Sequence, residues 1–480
     1  MKKSLYKISI PLFGILILFC SCSDWFDVSP STDVKADELF ETEEGFESAL
    51  TGIYLSLAER HTYAGDMSFG LIDQLAQEYD YVPDGASGKD AVYNYETETS
   101  YGFQTKQRIA AAWQAEYNII ANCNNLLKWL DANGNGVIKN ESNRKMFRGE
   151  TLAIRAFCHF DLLRAWGPWN YKNDNTAKQK KSIPYRIVAD NSKQPLLPAE
   201  EILTKVIEDL TAAKELLAYE SDLNLKENER RFRFNYHAIN ALLARVYTYK
   251  GDSENAIKCA KEVIDHCGLE ILSSNQDDPA MFSESICALN YYNMMDNLAS
   301  VWDYGDKITT QYFINAEKFN SLFEVTSSRR DDMRAKSTAF YQHDGRQILL
   351  SKKYRVNSNE VIPLIRLPEM YYILCEMNPD LKDAEHYINL VRNKRGYSTS
   401  LNEKFTSEDS RITALNKEYR KEFYAEGQYW YFLKLHGIIN LPYDSEITLS
   451  KEKFEFPLPD AEKQYGWTSD SDSESETETK

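Results

Sequence analysis

Apolar residues recur every three or four positions along most of this chain, which is the spacing of one face of an α-helix. The first such stripe is Phe46, Leu50, Ile53 and Leu57, and Thr42 precedes it as the predicted N-cap. Further stripes occur at Trp113, Tyr117, Ile120 and Leu127, at Leu152, Ala156, Phe160 and Leu163, and at Ile202, Val206, Leu210 and Leu217. Gly167-Pro168 should end the third helix, and Pro198 should open the fourth.

Two stretches predict antiparallel helix pairs. In residues 237–268, apolar residues line both halves and Gly251-Asp252 makes a turn between them. Small residues such as Ala256 and Ala260, where the helices would cross, resemble a tetratricopeptide unit. The second pair spans residues 367–396. Because two pairs are fewer than a free-standing solenoid needs, we expect degenerate units among the other helical stretches.

Long irregular segments separate the helices at residues 80–103 and 274–307. Loops beyond about 15 residues within a compact domain are usually functional or disordered. These two retain many aromatic residues, which favours function. The acidic, Ser/Thr-rich residues 469–480 contain no apolar side chain and are predicted to be a disordered tail.

The N-terminus has the organisation of a secretory signal peptide, predicted over residues 1–21. Basic residues come first, and an apolar run from Ile8 to Phe19 follows that is too short to span a bilayer. Cys22 stands directly after the predicted cut and resembles the lipobox cysteine that becomes the acylated N-terminus of a bacterial lipoprotein. Phe19 and Cys20 depart from the usual lipobox, so an ordinary signal followed by an unmodified cysteine is the alternative.

The net charge and the cysteines limit the classes of partner and site. A formal net charge of −17 at pH 7 repels polyphosphate, so no nucleic-acid partner is expected. Membrane attachment would then depend on the acyl group. The later cysteines include no CxxC pair, which favours buried free thiols. A Cys259–Cys267 disulfide is the alternative.

Four stretches together carry a family pattern. They are Arg148-Gly149-Glu150 through Pro168, Arg366-Leu367-Pro368-Glu369-Met370-Tyr371, Ile388 through Gly396, and Glu418 through Lys434. In this order they resemble the SusD/RagB family of outer-membrane nutrient-binding lipoproteins. Asp24 through Pro30 and Phe454 through Pro459 are also similar to that family.

The resemblance implies an all-α fold in which a tetratricopeptide-like helical-repeat superhelix packs against an irregular helical and loop region. It makes residues 22–468 a single nutrient-binding domain on the outward face of the outer membrane. It also implies a partner, a SusC-type TonB-dependent transporter that the lipoprotein would cover as a lid. Pro368 stands where the family prefers a small helix former, so we expect the helix there to begin later.

The ligand site is predicted from aromatic residues in the two irregular segments, because sugars lie with their C–H faces on aromatic rings. The candidates are Tyr79, Tyr81, Tyr93, Tyr95, Tyr291, Tyr292, Trp302 and Tyr304. Trp302, with Asp303 and Asp306 close by in sequence, is the first choice. For any single tyrosine, packing of the loop itself is the alternative.

No catalytic residue, metal or cofactor is predicted. The motif residues Arg148, Arg155, Arg164, Arg366 and Arg392 are expected to form buried ion pairs with nearby acids, among them Glu150, Asp161, Glu369, Glu422 and Glu426. The enzymatic alternative is that Glu422 and Glu426 act as the two carboxylates of a retaining glycosidase. Residues 131–142 resemble part of a calcium-binding EF-hand loop, but Ser142 stands where a bidentate Glu is needed, and an Asn/Gly-rich turn between helices explains the same residues.

Three functions fit these observations. The first is a surface-anchored protein that binds an oligosaccharide and delivers it to the transporter. The second keeps the fold and the location but binds peptides. The third is a helical-repeat scaffold for envelope proteins, without a small ligand of its own.

Overall fold

The structure, a computed structural model, describes residues 36–80, 100–302, 312–326, 331–342, 348–355, 360–440 and 451–466. The signal peptide, Cys22 and the acidic tail lie outside these ranges, as do Tyr81, Tyr93, Tyr95 and Tyr304. The helices are α1 (Ala36–Leu39), α2 (Glu43–Leu57), α3 (Leu71–Leu75), α4 (Ser100–Trp129), α5 (Glu141–Trp166), α6 (Ala199–Leu216), α7 (Tyr236–Lys250), α8 (Ser253–His266), α9 (Met294–Asn297), α10 (Ala299–Trp302), α11 (Ala316–Leu322), α12 (Leu367–Met377), α13 (Leu381–Lys394), α14 (Glu408–Glu422) and α15 (Gln428–His436). The strands are β1 (Lys181–Ile183), β2 (Leu197–Pro198), β3 (Ser285–Asn290), β4 (Phe313–Asn315), β5 (Phe340–Gln342), β6 (Ile348–Ser351) and β7 (Val361–Arg366).

Both predicted helix pairs are present. Gly251 ends α7 in the left-handed region with φ 84°, and the Asp252 carboxylate then caps α8 by accepting the Asn255 N–H at 3.1 Å. Asp380 caps α13 in the same way, accepting from Lys382 and Asp383. Glycine is suited to the first turn because it adopts positive φ without a Cβ clash.

The helices pack in chain order, each against the next, from α4 to α8. The chain then leaves this array for a mixed region of short strands and helices, and it returns when α12 packs against α8. The array and the mixed region share one continuous apolar core. The fold class predicted from the sequence is therefore confirmed: a tetratricopeptide-like helical array packed against an irregular region.

Small residues at the contacts allow neighbouring helices of the array to pack closely. A Cβ added at Gly149 in α5 would lie 2.9 Å from Leu217 Cγ, so this glycine sets how closely the end of α6 approaches. Ala241 and Ala244 in α7 are fully buried, as are Ala256 and Ala260 in α8. Such small side chains allow helix axes to lie close together.

Local signals located the helix ends well. Thr42 caps α2 by accepting the Gly45 N–H at 3.1 Å, α5 ends at Trp166 before Gly167, and α6 follows Pro198. The expectation for Pro368 was wrong, because α12 begins at Leu367 with this proline in its first turn. An N–H at that position has no partner within the helix, so proline costs nothing there.

All six cysteines from Cys123 to Cys375 are buried and free, which confirms the prediction of free thiols over the Cys259–Cys267 disulfide. Residues 130–134 form a π-helical turn and residues 135–137 an α-helical one, so the EF-hand-like stretch is largely helical. Within the described residues, no three His, Cys, Asp or Glu side chains are grouped to hold a metal ion. None of the described helices is both long enough and apolar enough to cross a bilayer.

Candidate functional site

The β3–β7 pair carries the most exposed aromatic side chain in the described part of the irregular region. These strands are antiparallel, with Ser285 opposite Arg366 and Asn290 opposite Val361. Directly after β3, the Tyr291 N–H donates to the Glu360 carbonyl oxygen at 2.7 Å. The chain then turns outward into the short helix α9, and we call residues 291–297 the Tyr292 turn.

The Tyr292 turn is ordered by its own backbone contacts. Asn293 has φ 55°, in the left-handed region that asparagine tolerates better than most residues. The Asn297 side-chain amide donates to the Tyr292 carbonyl oxygen at 3.1 Å. Tyr292 is thereby left 84 % exposed and Met295 40 % exposed, while the neighbouring Met294 is buried and fastens α9 to the core.

Trp302, the first-choice ligand residue, is instead a core residue with 0 % exposure. Its indole lies among four other rings at centroid distances of 6.0 Å to Phe69, 5.8 Å to Tyr79, 5.3 Å to Tyr312 and 5.8 Å to Tyr354. We call these five rings the aromatic cluster. Tyr79 belongs to it and is equally buried. Because both rings are buried, this structure gives no support to the prediction that they stack on a ligand.

The aromatic cluster joins distant parts of the chain beside the irregular region. Tyr79 stacks on Tyr312 at a centroid distance of 4.6 Å, and the Tyr79 hydroxyl donates to the Phe69 carbonyl oxygen at 3.0 Å. One residue further, the Asp80 N–H donates to the Phe313 carbonyl oxygen at 2.8 Å. Burial raises the pKa of Tyr79 well above its ordinary value, so this hydroxyl stays protonated. The cluster therefore packs residues from several distant parts of the chain into the core beside the irregular region.

The Tyr292 turn has the chemistry for binding a polar, ring-shaped ligand. It presents one aromatic face, the Asp296 carboxylate and the side-chain amides of Asn293 and Asn297, all at exposed positions. Aromatic rings take the apolar faces of sugars, and carboxylates and amides take their hydroxyl groups. Tyr291 lies half-buried against the core and borders this surface. Tyr304, Tyr81, Tyr93 and Tyr95 remain predictions, since they lie outside the described residues.

A group of paired charges lies in the core where β7, α12, α13 and α14 meet. Its members, the buried charge cluster, are Glu284, Asp332, Arg334, Arg366, Arg395, Glu418, Glu422 and Glu426. Arg366, the last residue of β7, bonds Glu422 at 2.7 Å, Glu284 at 3.1 Å and Glu426 at 2.9 Å. Arg395, at the end of α13, bonds Glu284 at 2.8 Å and Glu422 at 2.6 Å.

Glu422 is the centre of the buried charge cluster. Burial by itself would raise its pKa, but the guanidinium groups of Arg395, Arg366 and Arg334 hold that pKa well below the usual range. Glu422 is fully buried and Glu426 nearly so, and Lys353 also bonds Glu426 at 2.5 Å. Two carboxylates that are already paired and out of contact with water do not form the substrate-flanking pair of a glycosidase.

Most of the charged residues that were predicted to form buried ion pairs do so, but several pair with a residue other than the expected one. Arg164 bonds Asp161, as expected, and Arg392 bonds Glu418 at 2.5 Å. Arg155 pairs with Asp209, Glu150 with Arg230, and Glu369 with Arg245. Arg148 was predicted wrongly as a buried charge, because it pairs with Asp131 at the surface.

Sequence reasoning missed Glu284 and Arg334 entirely. Both stand in irregular segments, where no helical period marks a residue as inward-facing. Arg395 lay within a recognised motif, and its position at the end of an apolar helix face was the available signal.

Two family models match this chain. One, described as "Starch-binding associating with outer membrane", matches residues 24–248, and the other, described as "SusD family", matches residues 292–434. A SusD-like protein of Bacteroides ovatus is 24 % identical over 277 residues, which cover 54 % of this chain and 44 % of that protein. The match therefore spans less than half of that relative's length.

Superpositions on solved structures with the same fold include nearly all of each solved chain. A putative sugar-binding protein from Bacteroides vulgatus superposes with a TM-score of 0.70 at 22 % identity, covering 89 % of this chain and 97 % of that one. A SusD superfamily protein from Bacteroides thetaiotaomicron superposes with a TM-score of 0.69 at 19 % identity, covering 88 % and 98 %. The solved structures share the fold of this chain, and the two family models show that the chain belongs to the SusD/RagB family, a glycan-binding family of the outer membrane.

Proposed function

We propose that this protein is an outer-membrane surface lipoprotein, acylated at Cys22, that binds a glycan and delivers it to a SusC-type TonB-dependent transporter. The observation that carries the ligand assignment is the Tyr292 turn, where an 84 % exposed ring stands beside carboxylate and amide groups. A ring exposed to this extent can lie against the apolar face of a sugar, while the carboxylate and amide groups beside it can bond the sugar hydroxyls.

The role as a binding protein rather than an enzyme rests on two supports. Proteins of this family bind carbohydrates and are generally non-enzymatic. In addition, the acidic residues that a hydrolase would use, Glu422 and Glu426, are occupied by Arg366 and its neighbours. We therefore propose that the protein binds and releases the glycan without cleaving it.

Delivery to a transporter rests on the family and on the N-terminal sequence. A lipid on Cys22 would hold the protein at the membrane. A Cys22→Ala chain expressed in cells should lose lipid labelling and be released from the membrane fraction. Lipid labelling that persists in this variant would show that Cys22 is not the acylated residue.

The test of ligand class is a calorimetric screen of the mature Cys22→Ala chain against polysaccharides and peptides. We expect saturable binding of a glycan, with no reducing sugar released on prolonged incubation. Binding of peptides alone would replace the glycan with a peptide ligand, and binding of neither would favour a scaffold. Co-purification of the wild-type protein with a TonB-dependent transporter tests the partner separately.

A further inference from the structure

A small cavity lies where the two halves of the helical array meet. It has a volume of 40 Å³ and is lined from α5, α7, α12, α14 and α15. Helix α5 and all but the last two residues of α7 fall within the first region matched by a family model, and α12, α14 and all but the last two residues of α15 fall within the second. The cavity therefore lies between the two matched regions of the chain.

Three residues that line this cavity each carry a polar atom with no hydrogen-bond partner among the residues that the structure describes. The three atoms are Arg245 Nη1 and the hydroxyl oxygens of Tyr249 and Tyr431. All three side chains are more than nine-tenths buried. Leaving a buried donor unpaired costs about 1–3 kcal/mol each, so native proteins seldom tolerate three at one place without a bound partner.

The charges around the cavity exclude an ionic ligand. Arg245 is held by both carboxylate oxygens of Glu369, at 2.5 and 2.6 Å, and Arg164 is held by Asp161. Glu376 pairs with Lys172 and lies 3.2 Å from His436 Nε2. An anion would approach Glu369 and Glu376 and a cation would approach the two arginines, so neither gains a net attraction.

We propose that this cavity binds a cluster of water molecules, held by Arg245 Nη1 and by the hydroxyl groups of Tyr249 and Tyr431. A water molecule needs roughly 10–15 Å³ of such volume, so about three fit. The cluster completes the hydrogen bonding around the Arg245–Glu369 pair, which joins α7 to α12. It thereby forms part of the contact between the two halves of the array.

A crystal structure of the mature Cys22→Ala chain, at a resolution that orders solvent, tests this directly. We expect density within about 2.6–3.2 Å of all three atoms. A cavity without density would overturn the proposal. So would an anomalous peak in the cavity after a bromide soak, which would show an anion site.

Tyr249→Phe and Tyr431→Phe provide the test in solution, with Tyr247→Phe as the matched control. Tyr247 lies on the same helix but lines an outer groove. With bound water, each of the two variants should lose long-lived water molecules in ¹⁷O relaxation dispersion and unfold at a lower temperature, and the control should change neither. If the cavity is dry, removing an unpaired hydroxyl should instead raise the unfolding temperature and leave the water count unchanged, which contradicts the proposal.

Discussion

Arg366 bonds Glu422 twice, through Nη1 to the carboxylate at 2.7 Å and through Nη2 to the backbone carbonyl oxygen at 2.6 Å. This contact ties the end of β7 to the end of α14. Because β7 also pairs with β3, the same arginine connects the helical array to the strand that precedes the Tyr292 turn. A buried ion pair thus fixes the base from which the candidate ligand surface projects.

Replacing Arg366 by alanine should be severely destabilising. The change would leave Glu284, Glu422 and Glu426 buried with fewer cations, and breaking a buried pair in this way costs about 3–5 kcal/mol. Denaturant unfolding of Arg366→Ala should show a loss of this size. Arg148→Ala is the control, since its surface pair with Asp131 should contribute at most about 1 kcal/mol. If Arg366→Ala and Arg148→Ala lost equal unfolding free energy, the assignment of Arg366 to the core and Arg148 to the surface would be wrong.

Trp302→Ala should lower the free energy of unfolding. Removing a fully buried aromatic side chain from a core costs about 3–5 kcal/mol, and the aromatic cluster cannot refill the space of an indole. Thermal or denaturant unfolding measures this loss. Tyr292→Ala is the comparison, and its unfolding free energy should stay within about 0.5 kcal/mol of wild type because the ring is exposed. A stable Trp302→Ala protein would contradict the placement of Trp302.

Tyr292→Ala should instead weaken binding of the glycan found in the screen. Loss of one stacking ring is expected to cost about 1 kcal/mol, or roughly fivefold in Kd, by calorimetry. Tyr219→Ala serves as the control, because Tyr219 is 51 % exposed and lies in the turn after α6. If both variants bind like wild type, the Tyr292 turn is not the ligand surface.

Acid should destabilise the fold through the buried charge cluster. The pKa of Glu422 is lowered in the folded state, so its contribution is fully present above the unfolded pKa of about 4.3 and is lost as the pH falls through the folded pKa. Unfolding free energies measured between about pH 3 and pH 6 should fall on the acid side. The decline should be shallower in Arg366→Ala, where part of the pairing is already gone. An equally steep decline would assign the acid sensitivity to other groups.

Glu116 should have the opposite pH dependence. Burial is the main cause that raises its pKa to about 8, and the nearby Asp161 carboxylate adds to the rise. Between about pH 4.3 and pH 8 the unfolded chain releases this proton while the folded one keeps it, so stability falls with rising pH by up to about 1.4 kcal/mol per unit. Glu116→Gln has no proton to lose at this position, so its free energy of unfolding should not show this decline. The difference in unfolding free energy between the variant and wild type should therefore grow up to about pH 8. An advantage that does not vary with pH would show that Glu116 titrates normally.

Helices, their ends and the two helix pairs were predictable because their causes are local. Thr42, Gly167, Pro198 and Gly251 act within one turn of the residues they affect. Apolar periodicity likewise reports which face of a helix is buried, whatever that face packs against. The free cysteines followed from their positions on such faces.

The exposed aromatic residues could not be sorted from the buried ones in the same way. Trp302 and Tyr292 stand ten positions apart in one irregular segment with no periodicity, yet one is fully buried and the other almost fully exposed. The difference comes from partners far along the chain, as in the Gln74–Tyr312 hydrogen bond, whose residues are 238 positions apart. Sequence therefore specified where the long helices form, because capping and periodicity are short-range. Long-range packing formed the short strand pairs of the irregular region and assigned each aromatic ring and each charge to the core or to the surface.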